Sequence, residues 1–283
     1  MHAQDVILLA VKASIVLTVF AIGLSAQPRD MAYLLKRPAE LMQSVLAMSV
    51  VMPAIVILLA RVFALDSAVK IALFALAVSP VPPFLPTKQL KAGGSRPYVI
   101  GLLSATALLS IVTVPLTVAL IGDLAGYTLH MPVGAITGII LLTVLAPLAL
   151  GAGINFLKPE LALRCARPLM LGATALLVLG CLPIFLKALP VVAAMIGNGV
   201  LLATIAFSVI GLAAGHLLGG PDPDDRTALA LATASRHPAI AVAVAQATFP
   251  EHTDALMVVL VALVVGAVVS MPYLAWRKKR RTA

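Results

Sequence analysis

The chain has 283 residues, 61% of them hydrophobic and only 11% charged, with a mean hydropathy of +1.10. Soluble domains carry about 45–50% apolar and about 25% charged residues, so this composition excludes a soluble fold and describes a polytopic membrane protein. The net charge of +9 does not point to nucleic acid, because the basic residues lie between apolar runs and at the C-terminal end, with no basic face and no reader motif.

A helix needs about 20 apolar residues to cross a bilayer. Nine such stretches are predicted in chain order: 6–26, 38–60, 68–90, 98–122, 132–156, 168–188, 191–218, 226–248 and 254–276. They are apolar throughout rather than alternating, so the predicted fold is all-α, one membrane-embedded unit over residues 1–283. The first run begins at Val6 without a basic region before it, and no cleavable signal is expected. The sixth and seventh are divided only by Leu189-Pro190.

Two of these stretches are interrupted. The third breaks at Ser79-Pro80-Val81-Pro82-Pro83-Phe84-Leu85-Pro86-Thr87-Lys88-Gln89. Prolines donate no N–H, so Pro83 and Pro86 are expected to strand carbonyls one turn back, which lipid does not tolerate. A cytoplasmic loop starting at Pro80 is the plainer reading, but the apolar run from Ala68 to Val78 is too short to cross alone. The eighth stretch breaks at Thr233-Ala234-Ser235-Arg236-His237-Pro238, with Arg236 too deep to reach the headgroups easily. Interrupted segments at corresponding places in two halves point to a transporter's binding site. Stretches 1–4 and 6–9 form two units of opposite orientation around stretch 5, an expected inverted repeat.

Lys and Arg set the orientation. Arg29, Lys36, Arg37, Lys88, Lys91, Arg96, Lys158, Arg164, Arg167, Arg226 and the run Arg277-Lys278-Lys279-Arg280-Arg281 fall on one side. With that side cytoplasmic, the N-terminus lies outside and the C-terminus inside a bacterial-type inner membrane. The 122–131 loop has no Lys or Arg, as an outside loop should, and Pro221-Asp222-Pro223-Asp224-Asp225 is an acidic inside loop.

The candidate substrate-binding residues are Arg236, His237, Thr233 and Ser235 at the second break, Lys88 and Thr87 at the first, and Ser104 and Thr106 on the fourth stretch. Each has a structural alternative. Hydroxyls in membrane helices often bond their own backbone, and a lone buried His is more often a satisfied polar residue than a proton carrier. Gly134/Gly138 and Gly215/Gly219 both match the spacing for close helix contact, and Cys181 reads as a small packing residue. There is no nucleophile pair, paired acids, phosphate loop or metal cluster, so an enzyme is not expected, nor a resident cofactor.

The run Lys36-Arg37-Pro38-Ala39-Glu40-Leu41 with Met52-Pro53, the break Ser79-Pro80 followed by Leu90-Lys91-Ala92-Gly93, and the second break from Thr233 to Ala241 resemble the bile acid:sodium symporter superfamily. That resemblance implies two inverted repeats, two crossing broken helices, a core subdomain over about 38–122 and 191–276, and a panel subdomain over about 6–26 and 132–188. Where the family's second break reads Glu-x-Gly-x-Gln-Asn and helps hold sodium, this chain has Ala232, Thr233, Ala234, Ser235, Arg236 and His237. A hard cation wants oxygen ligands, and a carboxylate has gone while a guanidinium has arrived. The expectation is a secondary transporter of a small organic anion by alternating access, with sodium coupling disfavoured and Arg236 standing in for the bound cations. The alternative is a sensor or assembly protein that keeps the fold without transport.

Overall fold

The computed structural model describes residues 3–125, 133–194, 199–252 and 254–282, and every regular element among them is helical. Apart from two single turns, Pro28–Met31 and Leu34–Lys36, the helices in chain order are α1 (Ala3–Ser25), α2 (Pro38–Val62), α3 (Ser67–Val78), α4 (Leu85–Lys91), α5 (Arg96–Ala125) and α6 (Val133–Leu157). They continue with α7 (Pro159–Ala194), α8 (Val200–Leu218), α9 (Pro223–Ala234), α10 (Pro238–Thr248) and α11 (Ala255–Thr282). Seven segments among the described residues are long and apolar enough to cross a membrane: α2, α6, α8, most of α5, α7 and α11, and the interrupted α9–α10 pair. Leu9–Ser25 and Ser67–Val78 are shorter apolar helices. Most of the loop expected at 122–131 and the side chain of Cys181 lie outside the described residues.

One boundary differs from the sequence reading. Leu189-Pro190 does not divide two spans; it lies inside α7, which also begins earlier, at Pro159. A proline in a membrane helix forfeits one backbone bond without ending the helix, because neighbouring groups re-satisfy the carbonyl. Arg164 and Arg167 accordingly sit exposed on the first turns of α7.

Two sets of helices pack internally. α1 lies along α6 and α7, and α8 lies along α9 and α11. Both sets use glycine where backbones meet. A Cβ on Gly151 would stand 2.4 Å from Phe20 O of α1, and one on Gly23 2.5 Å from Leu148 O of α6. On α8, a Cβ on Gly215 would stand 2.5 Å from Ala230 Cα of α9. Gly134 and Gly138 have the same spacing and face open space. The motif is therefore a real contact in one place and a coincidence in the other.

The acidic stretch at residues 221–225 is a helix cap. Asp222 accepts from the backbone N–H of Asp224 at 2.7 Å and of Asp225 at 3.3 Å, with Pro223 in the first turn of α9. An N-cap oxygen and first-turn acids both suit the positive end of the helix dipole. Asp225 also accepts from Ser95 Oγ at 2.6 Å, tying α9 to the turn before α5. Residues 71–78 of α3 and 227–234 of α9 are buried without interruption, so these two helices form the centre of the molecule.

Candidate functional site at the crossing of two broken helices

α3 has 12 residues and so spans about 18 Å at about 1.5 Å per residue, short of the roughly 30 Å hydrocarbon layer. It ends at Val78 with Ser79 as its extended C-cap, and residues 80–82 form no regular structure. Leu85 N then bonds Pro82 O at 3.0 Å and α4 begins. Pro86 falls in the first turn of α4, where a missing N–H costs nothing, so it starts that helix rather than breaking one. Gly93, at φ 96°, turns the chain out of α4 in a conformation natural to glycine. In the second half, α9 stops at Ala234 and Pro238 opens α10.

The two breaks touch. The backbone N–H of His237 donates to Pro80 O at 2.9 Å, and Arg236 Nη1 donates to Ser79 O at 3.0 Å. Arg236 Nη2 donates to Met48 O at 2.9 Å. That third segment has its own irregularity. Over Leu46–Val51 the ladder of α2 takes π spacing, and Pro53 has no N–H to give the carbonyl five residues back, which is Met48. One guanidinium thus serves two carbonyls that proline-bearing segments leave without a backbone donor. Buried carbonyls are nearly always paired, and here an arginine replaces the missing ladder.

Arg236 is 2% exposed, and its Nε has no hydrogen-bond partner among the described residues. Its charge meets no carboxylate there. What it does meet is helix ends: α3 and α9 both terminate at the crossing, and a helix C-terminus carries about half a unit of negative charge. His237 is buried as well. Its Nδ1 accepts from Ile240 N at 3.4 Å as the N-cap of α10, while Nε2 is unpartnered.

Three cavities adjoin the crossing. The largest, about 1000 Å³, is a vestibule lined by Thr18 of α1, Thr87, Lys88 and Lys91 of α4, Thr174 of α7, and Lys278 of α11, with apolar walls from Phe84, Leu177 and Leu274. A chamber of about 180 Å³ lies deeper, bounded by Arg236, Ser235, Lys88, Phe207 and Gly266. Phe84 and Lys88 border both. A crevice of about 10 Å³, also bordered by Arg236, is lined by Thr106, Ser110 and Ser79.

The candidate residues therefore divide. Arg236, Ser235, Lys88 and Thr87 line the vestibule or chamber, and Thr106 lines the crevice. Thr233 is fully buried with its hydroxyl donating back to Leu229 O at 2.8 Å. Ser104 donates to Met31 O at 2.6 Å, fastening the turn after α1 to α5. His237 acts on the backbone of α10. The sequence reading missed Met48, which contributes only a carbonyl, and used Lys91 and Lys278 as topology markers although both face the vestibule. Gln89 was also missed: fully buried, it ties α4 to α9 through Nε2 to Ala228 O at 2.7 Å.

No curated protein matches the chain. The family model described as Sodium Bile acid symporter family matches residues 13–195, which takes in the first break and ends before the second. That match covers well over half of the 283 residues, so the chain belongs to the sodium bile acid symporter family, a family of membrane transporters, and is a multi-pass membrane protein.

Proposed function

We propose that the protein is a secondary transporter of a small organic anion, working by alternating access and without sodium coupling. The observation that carries this is the Arg236 guanidinium, buried and, among the described residues, bonded only to Ser79 O and Met48 O at the crossing. A fixed cation there neutralises the ends of α3 and α9, work that a bound metal ion does only when it is present. With Ala232 and Arg236 where the family resemblance puts a Glu and a Gln, the crossing offers a sodium ion no carboxylate among the described residues. The vestibule supports the anion reading, since among the described residues Lys88, Lys91 and Lys278 line it and no acid does. Its volume of about 1000 Å³ is at the upper end of the usual range for ligand pockets, which weighs against a sensor with a filled interior.

In this reading the molecule has nine spans, with α3–α4 and α9–α10 as the broken third and eighth. α1, α6 and α7 are the panel, and the remaining helices are the core that moves against it. The vestibule opens on the basic, cytoplasmic side. Cysteine placed at Ser95 should then react with a membrane-impermeant maleimide only from the inside, and at Phe63 only from the outside; the reverse pattern would invert the topology.

The deciding measurement is flux in proteoliposomes. Carboxylates such as benzoate, pyruvate and taurocholate should include at least one that is carried at equal rates in sodium and potassium media. A strict sodium requirement would refute the tethered-cation reading. Proton linkage through His237 is a second coupling, favoured by its buried, unpartnered Nε2. It would show as uptake driven by an inward proton gradient alone.

A further inference from the structure

We infer that the chamber beside Arg236 binds a compact monoanionic group, a carboxylate or a halide, held between Lys88 and Arg236. The inference deepens the transport reading, on which it rests only for the use made of the bound group. Charge balance carries it. The C-terminal ends of α3 and α9 supply about one unit of negative partial charge in total, which Arg236 alone offsets. The N-terminal end of α10 then adds positive charge at the same crossing, and Lys88 adds a full unit. Lys88 has no hydrogen-bond or ion-pair partner among the described residues, and no acid borders the chamber. Three of the five guanidinium N–H groups of Arg236 also remain uncommitted, the Nε one buried among them. A buried cation without a counter-charge is costly, and a bound anion removes that cost.

Size narrows the ligand. The chamber's 180 Å³ is room for about six waters at about 30 Å³ each, enough for a carboxylate or a partly hydrated halide. A large organic body does not fit there, but the adjoining vestibule would take one. Two sources share this chemistry: the anionic head of the transported substrate, or a free inorganic anion that travels with it or gates it.

The test uses the purified full chain in detergent, in the potassium salt of the bulky sulfonate MES at constant ionic strength, with chloride, nitrate or acetate replacing MES stepwise. At least one of these should raise the Tm saturably, on the order of 5 °C at saturation. Lys88→Gln should abolish the saturable rise, and it keeps the carbonyl cage of Arg236 intact, so the protein should still fold. No saturable response in the wild type, or the same response in Lys88→Gln, overturns the inference. Benzoate flux then separates the sources. Competitive inhibition by chloride assigns the chamber to the substrate's own carboxylate, whereas flux that requires chloride assigns it to a free co-ion. Flux indifferent to an anion that does raise the Tm removes the chamber from the transport path. A Tm shift with no flux of any carboxylate supports the anion site and defeats the transport reading instead.

Discussion

Arg236→Ala should reduce transport to background while the protein still inserts in the membrane, with stability lower by about 2–4 kcal/mol. Two carbonyls, those of the buried Ser79 and Met48, would lose their donors. Leaving a buried acceptor unpaired costs about 1–3 kcal/mol each. The ends of α3 and α9 would also face each other without a neutralising charge. Against this, removing a desolvated cation recovers some of its burial cost, which keeps the net effect below the simple sum. Arg236→Lys should fall between the two, because one ammonium cannot span both carbonyls as the guanidinium fork does. Tm and liposome flux measured on the same preparations check these outcomes, and wild-type flux in Arg236→Ala would show that the crossing does not need its cation. A sharper version restores oxygen ligands. Ala232→Glu combined with Arg236→Gln places a carboxylate and an amide where the family resemblance puts them, on a buried helix end. That double variant should be more thermostable in sodium than in potassium, a difference absent from the wild type.

The second large effect concerns the glycines between backbones. Gly215→Ala should destabilise by about 3 kcal/mol, the upper part of the range for overpacking, and should also impair transport. Its new Cβ would stand 2.5 Å from both Ala230 Cα and Leu229 O, and backbone atoms cannot rotate aside as a side chain can. α8 and α9 must therefore separate, and α9 delivers Ser235 and Arg236 to the crossing. Gly151→Ala meets Phe20 O at 2.4 Å and should cost as much stability, but it lies in the α1–α6–α7 set, away from the crossing. Gly134→Ala and Gly153→Ala are the controls. Each Cβ would enter open space, so the variants should be neutral or gain up to about 1 kcal/mol from helix propensity. Thermal melts of the four variants decide it, and an unchanged Tm in Gly215→Ala would contradict the packing described.

Hydropathy alone located the seven long apolar helices among the described residues, because the preference of a 20-residue apolar stretch for lipid is a local property of that stretch. Both interruptions were equally legible, since proline and an arginine within an apolar stretch announce themselves by residue type. Other features needed the folded chain. Pro190 reads as a terminator in the sequence and is an interior residue of α7, because a helix tolerates one forfeited bond when neighbours supply another. Gly134/Gly138 and Gly215/Gly219 are the same motif, and only the presence of α9 across from the second pair gives it meaning. Lys91 and Lys278 lie far apart in the chain and share a vestibule. The partners of Arg236 were the least readable of all. Ser79 and Met48 stand 157 and 188 residues away, and what they contribute is a carbonyl that every residue possesses. A side chain declares its chemistry in its letter; a backbone acceptor becomes a site only when packing brings a donor to it.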